Sequence, residues 1–374
     1  MNSEKQNSIW VKLCHKTGAV VAMGIIAFTI LIALLAYKLA PDSSPNANRM
    51  IVELGAKKPG FTSLLLLVPR QALNEKHEFP DGIISGMPDM YNYIPIKNYQ
   101  FRNDSLQFTH FIDEGLQDTI SFSLASLLPP SERIKPLAEQ RNYLRKEQIK
   151  LHTFYLGSDR YGRDILSRLL IGARVSIGVG LVAVLLSLSI GVFLGAIAGY
   201  FGGFTDRIVM FVVNIFWSVP TLLLVFALTL TLGKGFWEIF IAIGLTMWVG
   251  AARLIRGQVL VLREMDYVIA AKAIGAGSAR IIVKHILPNI AGPIIVVAAG
   301  NFAAAILIEA GLSFLGIGIQ PPQPSWGLMI KEHYNFLVTN QPLAAIIPGL
   351  AIMLLVYSFN ILGNALRDVL DVRQ

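Results

Sequence analysis

Six stretches of this 374-residue chain run for about twenty residues or more with almost no charged side chain. They lie at 18–40, 175–201, 208–232, 236–255, 289–316 and 342–366. Hydrocarbon offers no partner for a backbone N–H or C=O, so a crossing segment must satisfy its own. A helix of about twenty residues does so and covers the roughly 30 Å required. The expected fold is an all-α membrane protein with six transmembrane helices.

Composition agrees with this. The chain is 54% hydrophobic and only 15% charged, with a mean hydropathy of +0.56, well away from an ordinary soluble domain. The first apolar stretch is too long for the core of a cleavable signal. The "YKLAPDSSP" that follows lacks a small-x-small cleavage site, so an uncleaved anchor is expected. The single cysteine, Cys14, excludes an internal disulfide and any multi-cysteine metal site.

Orientation is read from Lys and Arg next to the spans. The tail 1–17 carries Lys5, Lys12 and Lys16 against Glu4. The 253–288 segment carries Arg253, Arg256, Arg263, Lys272, Arg280 and Lys284 against Glu264 and Asp266. The turns near Lys234 and Lys331 read as balanced by Glu238 and Glu332. Both basic segments therefore belong in the cytoplasm, and six spans return the tail 367–374 there. The net charge of +8 is topological, and no nucleic-acid partner is expected.

Between the first two spans, residues 41–174 form a long extracytoplasmic segment, rich in polar residues, Tyr and Pro. It is too long to be a mere connector. Within it, "SERIKPLAEQRNYLRKEQIK" (131–150) reads as an amphipathic or solvated helix broken near Pro136.

Catalytic machinery is missing from the sequence. "TLGKGF" lacks the leading glycine and the hydroxyl residue of a phosphate loop, and no HExxH occurs. His15, His77, His110, His152, His285 and His333 are scattered. "GVGLVA" (178–183) matches GxGxxA only inside an apolar span, where it reads as helix packing. Gly191, Gly195 and Gly199 form a tandem small-xxx-small face suited to close helix approach. The chain is expected to have no enzymatic activity, and no metal or cofactor of its own.

One charged segment interrupts the apolar pattern: "DYVIAAKAIGAGSARIIVKHILPN" (266–289). Its alanines favour helix and Gly275 is a natural stop. Ser278 reads as the N-cap of a second helix that Pro288 ends at the membrane. Small residues at Ala270, Ala271 and Ala273 would leave one face flat enough for another protein's groove. Physics alone leaves this open against an amphipathic loop lying on anionic lipid.

The segment resembles the EAA loop of permease subunits of ABC importers. That pattern is EAA, three residues, Gly, nine residues, Ile, one residue, Leu-Pro. Ala270, Ala271, Gly275, Leu287 and Pro288 match in register, while Ile269 stands for the Glu and His285 for the Ile. Four further segments agree in order: "LGSDRYGRDILSRLLIGARVSIGVG", "AGYFGG", "EAGLSFLGIGIQPPQPSWG" and "SFNILGNALRDVLD". Together they resemble the second permease of dipeptide and oligopeptide importers, of the LGTDxxGRD type, over roughly 155–374 and the first span. The external segment departs from that type by its length, about twice the usual.

The resemblance implies a type I importer permease with a long extracytoplasmic insertion, in the cell membrane of a prokaryote. It implies three kinds of partner: a second permease, two cytoplasmic ATPases that hold the ATP and Mg, and an extracytoplasmic binding protein. The EAA loop would be the coupling helix seated on an ATPase. Gly275 would set its bend, Ser278 its second helix, and Arg280, Lys284 and His285 its charge.

Other residues invite roles. Glu309, near the outer end of the fifth span, either lines the pathway or bonds a neighbouring helix. Asn214, Trp217 and Pro220 suggest a kinked helix with polar atoms facing the interior. Gly157, Asp159, Gly162, Arg163 and Asp164 read as an outer gate or elbow. In "SFLGIGIQPPQPSWG" the prolines exclude regular helix, which suggests an outer re-entrant loop. Rival readings are import of nickel or its chelates, glutathione or a sugar oligomer, and, from other classes, a membrane-anchored sensor or scaffold and a membrane-embedded hydrolase.

Overall fold

Each apolar stretch folds as helix, and among the described residues five helices are long and apolar enough to cross a membrane. These are α1 (Thr17–Leu39), α2 (Ile165–Phe201), α5 (Phe236–Leu262), α7 (Ser278–Leu315) and α8 (Leu343–Asp371). The third expected span is instead a pair, α3 (Gly203–Ser218) and α4 (Thr221–Leu232), bent by 92° at Val219–Pro220. Pro220 lacks the N–H that would continue α3, so the helix stops there and restarts in a new direction. The computed structural model describes residues 9–70, 85–111, 117–233, 235–338 and 341–371. Glu4, Lys5, His77, Lys234 and the residues after Asp371 lie outside them.

Several boundaries differ from the sequence reading. Helix α2 begins ten residues early, because Asp164 caps it: the Ser167 backbone N–H donates to Asp164 Oδ2 at 2.8 Å. Helix α5 runs on to Leu262. Helix α7 starts at Ser278 and passes through a π turn (Ile282–Ile286) and a 3-10 turn (Leu287–Ile290) before regular helix begins at Ala291.

By contact density the chain divides into two units. The first comprises Met1–Leu34, Ala173–Lys331 and Pro348–Gln374. Its main core packs Val179, Ala183, Phe240, Ile243, Ala305 and Leu312, drawn from α2, α5 and α7. The glycines of α2 set the spacing. A Cβ on Gly191 would lie 2.6 Å from the Ala251 Cβ, and one on Gly195 would lie 2.5 Å from the Ala252 carbonyl oxygen. The small-xxx-small face is thus the seat of α5.

The second unit, Leu35–Gly172 and Glu332–Ile347, contains what an all-α reading leaves out. Among the described residues, five antiparallel strands form a sheet in the order β4-β3-β2-β1-β5. They are β1 (Phe61–Pro69), β2 (Tyr91–Arg102), β3 (Ser105–Phe111), β4 (Gln117–Ser123) and β5 (Ile149–Phe154). In β1 the run Leu64–Leu67 is buried on both faces. Leu66 joins Ile96, Leu106, Phe108, Leu124, Leu127 and Leu144 on one side. Leu65 and Leu67 join Ile51, Leu54 and Phe154 on the other. Alternating side chains of one strand thereby feed two cores, which is why the run is continuously apolar. The 131–150 stretch is helical only over Leu137–Tyr143 and a following turn to Gln148. Pro136 sits at its start, and β5 follows.

Candidate functional site

Residues 263–290 fold as the helix, glycine turn and helix expected. Helix α6 (Asp266–Ala273) ends in a Schellman arrangement: the Ala276 N–H donates to the Ala271 carbonyl and the Gly275 N–H to the Lys272 carbonyl, each at 3.0 Å. Gly275 takes φ +84°, a left-handed conformation that a side chain resists, although a Cβ there would meet open space. The segment is braced from beneath. Val268, Ala271, Ile281, Ile286 and Ile290 pack against Ala196 and Tyr200 of α2 and Ile255 and Val259 of α5. The Lys272 ammonium sits 5.1 Å above the Tyr200 ring, and Asn289 Nδ2 donates to the His285 carbonyl at 2.6 Å.

What remains exposed is a mixed surface. Ala270, Ala273, Gly275, Arg280, Lys284 and Pro288 face outward, while His285 and Leu287 are half-buried. Ile269 and Ile274 are apolar yet exposed, Ile274 by 86%. Three expectations need correction. Ala271 points into the core, so the flat face is Ala270 and Ala273 alone. Gly277 occupies the N-cap, and Ser278 is the first helical residue without a capping bond. Pro288 does not end the second helix; it is the second residue of the 3-10 turn Leu287–Ile290, a position where its missing N–H is tolerated.

The residues expected at an outer elbow come together. Asp159 Oδ1 accepts the backbone N–H of Tyr161 at 2.8 Å and of Arg163 at 3.0 Å, closing the turn. Gly157 and Gly162 both have positive φ, and a methyl on Gly162 would overlap the Ile51 carbonyl. Arg163 donates through Nε to Asp159 and through Nη2 to Glu332 Oε2 at 3.0 Å. Arg168 Nη2 reaches the same Glu332 oxygen at 3.2 Å. Glu332 therefore serves two buried guanidinium groups rather than balancing Lys331. Two cations face two anions, which is how charges survive burial.

Sequence reasoning missed Arg168, Glu332 and His333. The only signal was the placement of an Arg five residues after Arg163 and an acidic residue in a polar turn. Asp159, Glu332 and His333 bring one ligand atom each within 4.8 Å. Both carboxylates already accept from guanidinium groups, so the cluster reads as an ion-pair network and not as a metal centre. Burial pushes the His333 pKa down, against Asp159 and Glu332 nearby. Burial also raises Asp164 to about 6, against its bonds from Ser167.

The residues suspected of lining a pathway separate into two environments. Glu309 is fully buried: it accepts the Ser313 hydroxyl at 2.6 Å from one turn along its own helix and lies among core residues. That bond lies within its own helix and not with a neighbouring one, and the carboxyl reaches no surface of this chain. Asn214, Trp217 and Pro220 lie at the α3–α4 break and are exposed on the surface of this chain. Arg253 of α5 donates to Asn214 Oδ1 at 3.0 Å and lies 3.2 Å above the Trp217 ring.

Comparison with known proteins decides the family. Residues 191–374 match the family described as "binding-protein-dependent transport system inner membrane component". The chain is 41% identical over 230 residues to the oligopeptide transport system permease protein OppC of Bacillus subtilis, a match covering 62% of this chain and 75% of the relative. The chain belongs to this family. Against the dipeptide permease DppC of the same organism it is 42% identical over 217 residues, covering 58% of this chain and 68% of the relative. The glutathione permease GsiD of Pectobacterium atrosepticum is 41% identical over 217 residues, with 58% and 72% covered. The family match takes in the α3–α4 break, α5 and the 263–290 segment. The sheet and the turn at 157–168 precede it, while Glu332 lies within it.

Proposed function

We propose that this permease forms half of the pathway of a peptide importer and that residues 263–290 are the seat of its ATPase. The observation that carries the reading is the braced helix-turn-helix. Its inner face is locked to α2 and α5 by five buried side chains, while its outer face offers Ile269, Ile274, Arg280 and Lys284 to a partner. A segment so packed moves with its helices, so a push on it becomes a rocking of the spans. Peptide cargo is supported by relatives named for oligopeptides, dipeptides and glutathione at similar identity. The assembly would comprise a second permease, two ATPases and an external binding protein. The amino terminus and residues 263–290 would be cytoplasmic and the sheet external.

Gly275→Asp is the test. Asp tolerates the left-handed region better than most residues, and its side chain enters open space, so folding and insertion are expected to stay normal. The added anion sits in the docking surface. The wild-type chain, purified in mild detergent, should bring down ATPases and a second permease, and the variant should lose the ATPases and peptide uptake. Normal uptake by the variant, or absence of any ATPase with the wild type, sinks the reading.

A further inference from the structure

Arg253 is the only charged residue of α5 between Glu238 and Arg256, and its placement is unusual. Asp206 faces Arg256, and the Phe216 and Trp248 rings lie 5.5 Å apart, so α3 and α5 run antiparallel. An arginine near a span's end ordinarily extends to the nearer interface. Arg253 does the reverse. It reaches back along α5 to Asn214 and Trp217, a displacement of about five residues or roughly 7 Å. Its head group thus lies beside the carboxyl end of α3, where the 92° break leaves the last carbonyls without helical partners.

The cation is oriented but not neutralised. Arg256, one turn away, has both carboxylate oxygens of Asp206. Arg253 has an amide oxygen and an aromatic face, and among the described residues no carboxylate pairs with it. The surface around it is open: Trp217 is 55% exposed, and Asn214, Ser218 and Pro220 are exposed as well. A guanidinium at span depth cannot face lipid at low cost, so such groups mark water-filled cavities and pathways.

We infer that this face lines the aqueous pathway and that Arg253, held by Asn214 and Trp217, binds the C-terminal carboxylate of the peptide cargo. A guanidinium fork matches a carboxylate, and the α-carboxylate is the one anion every peptide carries whatever its side chains. The inference rests on the peptide-permease reading and adds a cargo contact to it.

The test uses the assembled importer in proteoliposomes, with Cys14→Ser removing the only native thiol and Ser218→Cys as a probe; Val219→Cys serves if the first fails to assemble. Co-purification of ATPases is checked first, since its loss in the parent sinks the importer reading instead. The probe should react roughly ten-fold faster with a methanethiosulfonate carrying a sulfonate than with one carrying trimethylammonium. Arg253→Gln should abolish that preference. Uptake of a labelled tripeptide pool should fall several-fold in Arg253→Gln, while uptake of its C-terminal amide stays unchanged. An unreactive thiol in an assembled complex, equal rates with both reagents, or equal loss of acid and amide uptake overturns the proposal. If an amidated pool rich in glutamate behaves like the acid pool, the C-terminal assignment falls.

Discussion

At the residue scale, the elbow depends on charges buried inside the fold. Arg163 is 1% exposed and bonds both Asp159 and Glu332. Removing it would leave two buried carboxylates against one guanidinium. Arg163→Ala should therefore cost about 3–5 kcal/mol, and Arg163→Lys should recover only part, because an ammonium cannot fork to two acids. Thermal unfolding in detergent measures both. His333 gives the cluster a pH dependence. Burial holds its folded pKa below the usual 6.5, so below that pH the unfolded chain binds a proton that the folded chain refuses. Stability is then complete above about pH 6.5 and falls on acidification toward the folded value. The midpoint should drop more between pH 7.5 and 5.5 in the wild type than in His333→Gln, and equal drops would remove His333 from the cause.

At the element scale, the α2–α5 contact is set by an absence of side chains. Gly195 lies against the Ala252 backbone and the Ile255 Cβ, at 2.5 and 3.0 Å from a built Cβ. These are rigid neighbours. Gly195→Leu must push the helices apart, at a cost of about 1–3 kcal/mol or more. Because Ile255 and Val259 of α5 also anchor the 263–290 segment, the same substitution should loosen that segment. Amide exchange over 263–290 should quicken relative to the wild type. Exchange unchanged there, with lowered stability, would separate the helix contact from the segment. The 92° break is the second element with consequences. It turns an apolar span into two short helices and places the α3 terminus beside Arg253.

At the scale of the whole chain, the proposed topology is testable with the chain's own chemistry. Cys14 is free and exposed, just before α1. In intact cells or right-side-out vesicles, a membrane-impermeant maleimide should leave Cys14 unlabelled until the membrane is permeabilised. A thiol introduced at exposed Lys146, in the turn before β5, should label at once in a Cys14→Ser background. The opposite pattern would invert the chain and place the 263–290 segment away from any cytoplasmic ATPase.

What the sequence determined by itself is whatever depends on local composition. Apolar runs long enough for hydrocarbon marked five helices to within about ten residues at their starts, because solvation by lipid is a property of each segment alone. The Gly275 turn was legible for the same reason: a left-handed stop needs glycine. The tandem glycines of α2 announced a close contact, though not its partner. Only tertiary structure decided the rest. "SLLLLV" in β1 is too short for periodicity to separate strand from helix, and its partners in β2 and β5 lie 24 to 89 residues away. Ala270 and Ala271 are alike in sequence, yet one faces out and the other is buried, because the rotation of α6 is set by what lies beneath it. Glu332 meets Arg163 across 169 residues, and Arg253 meets Asn214 across 39. Ion pairs and polar clamps of this kind are made by folding distant segments together, and no local pattern encodes them.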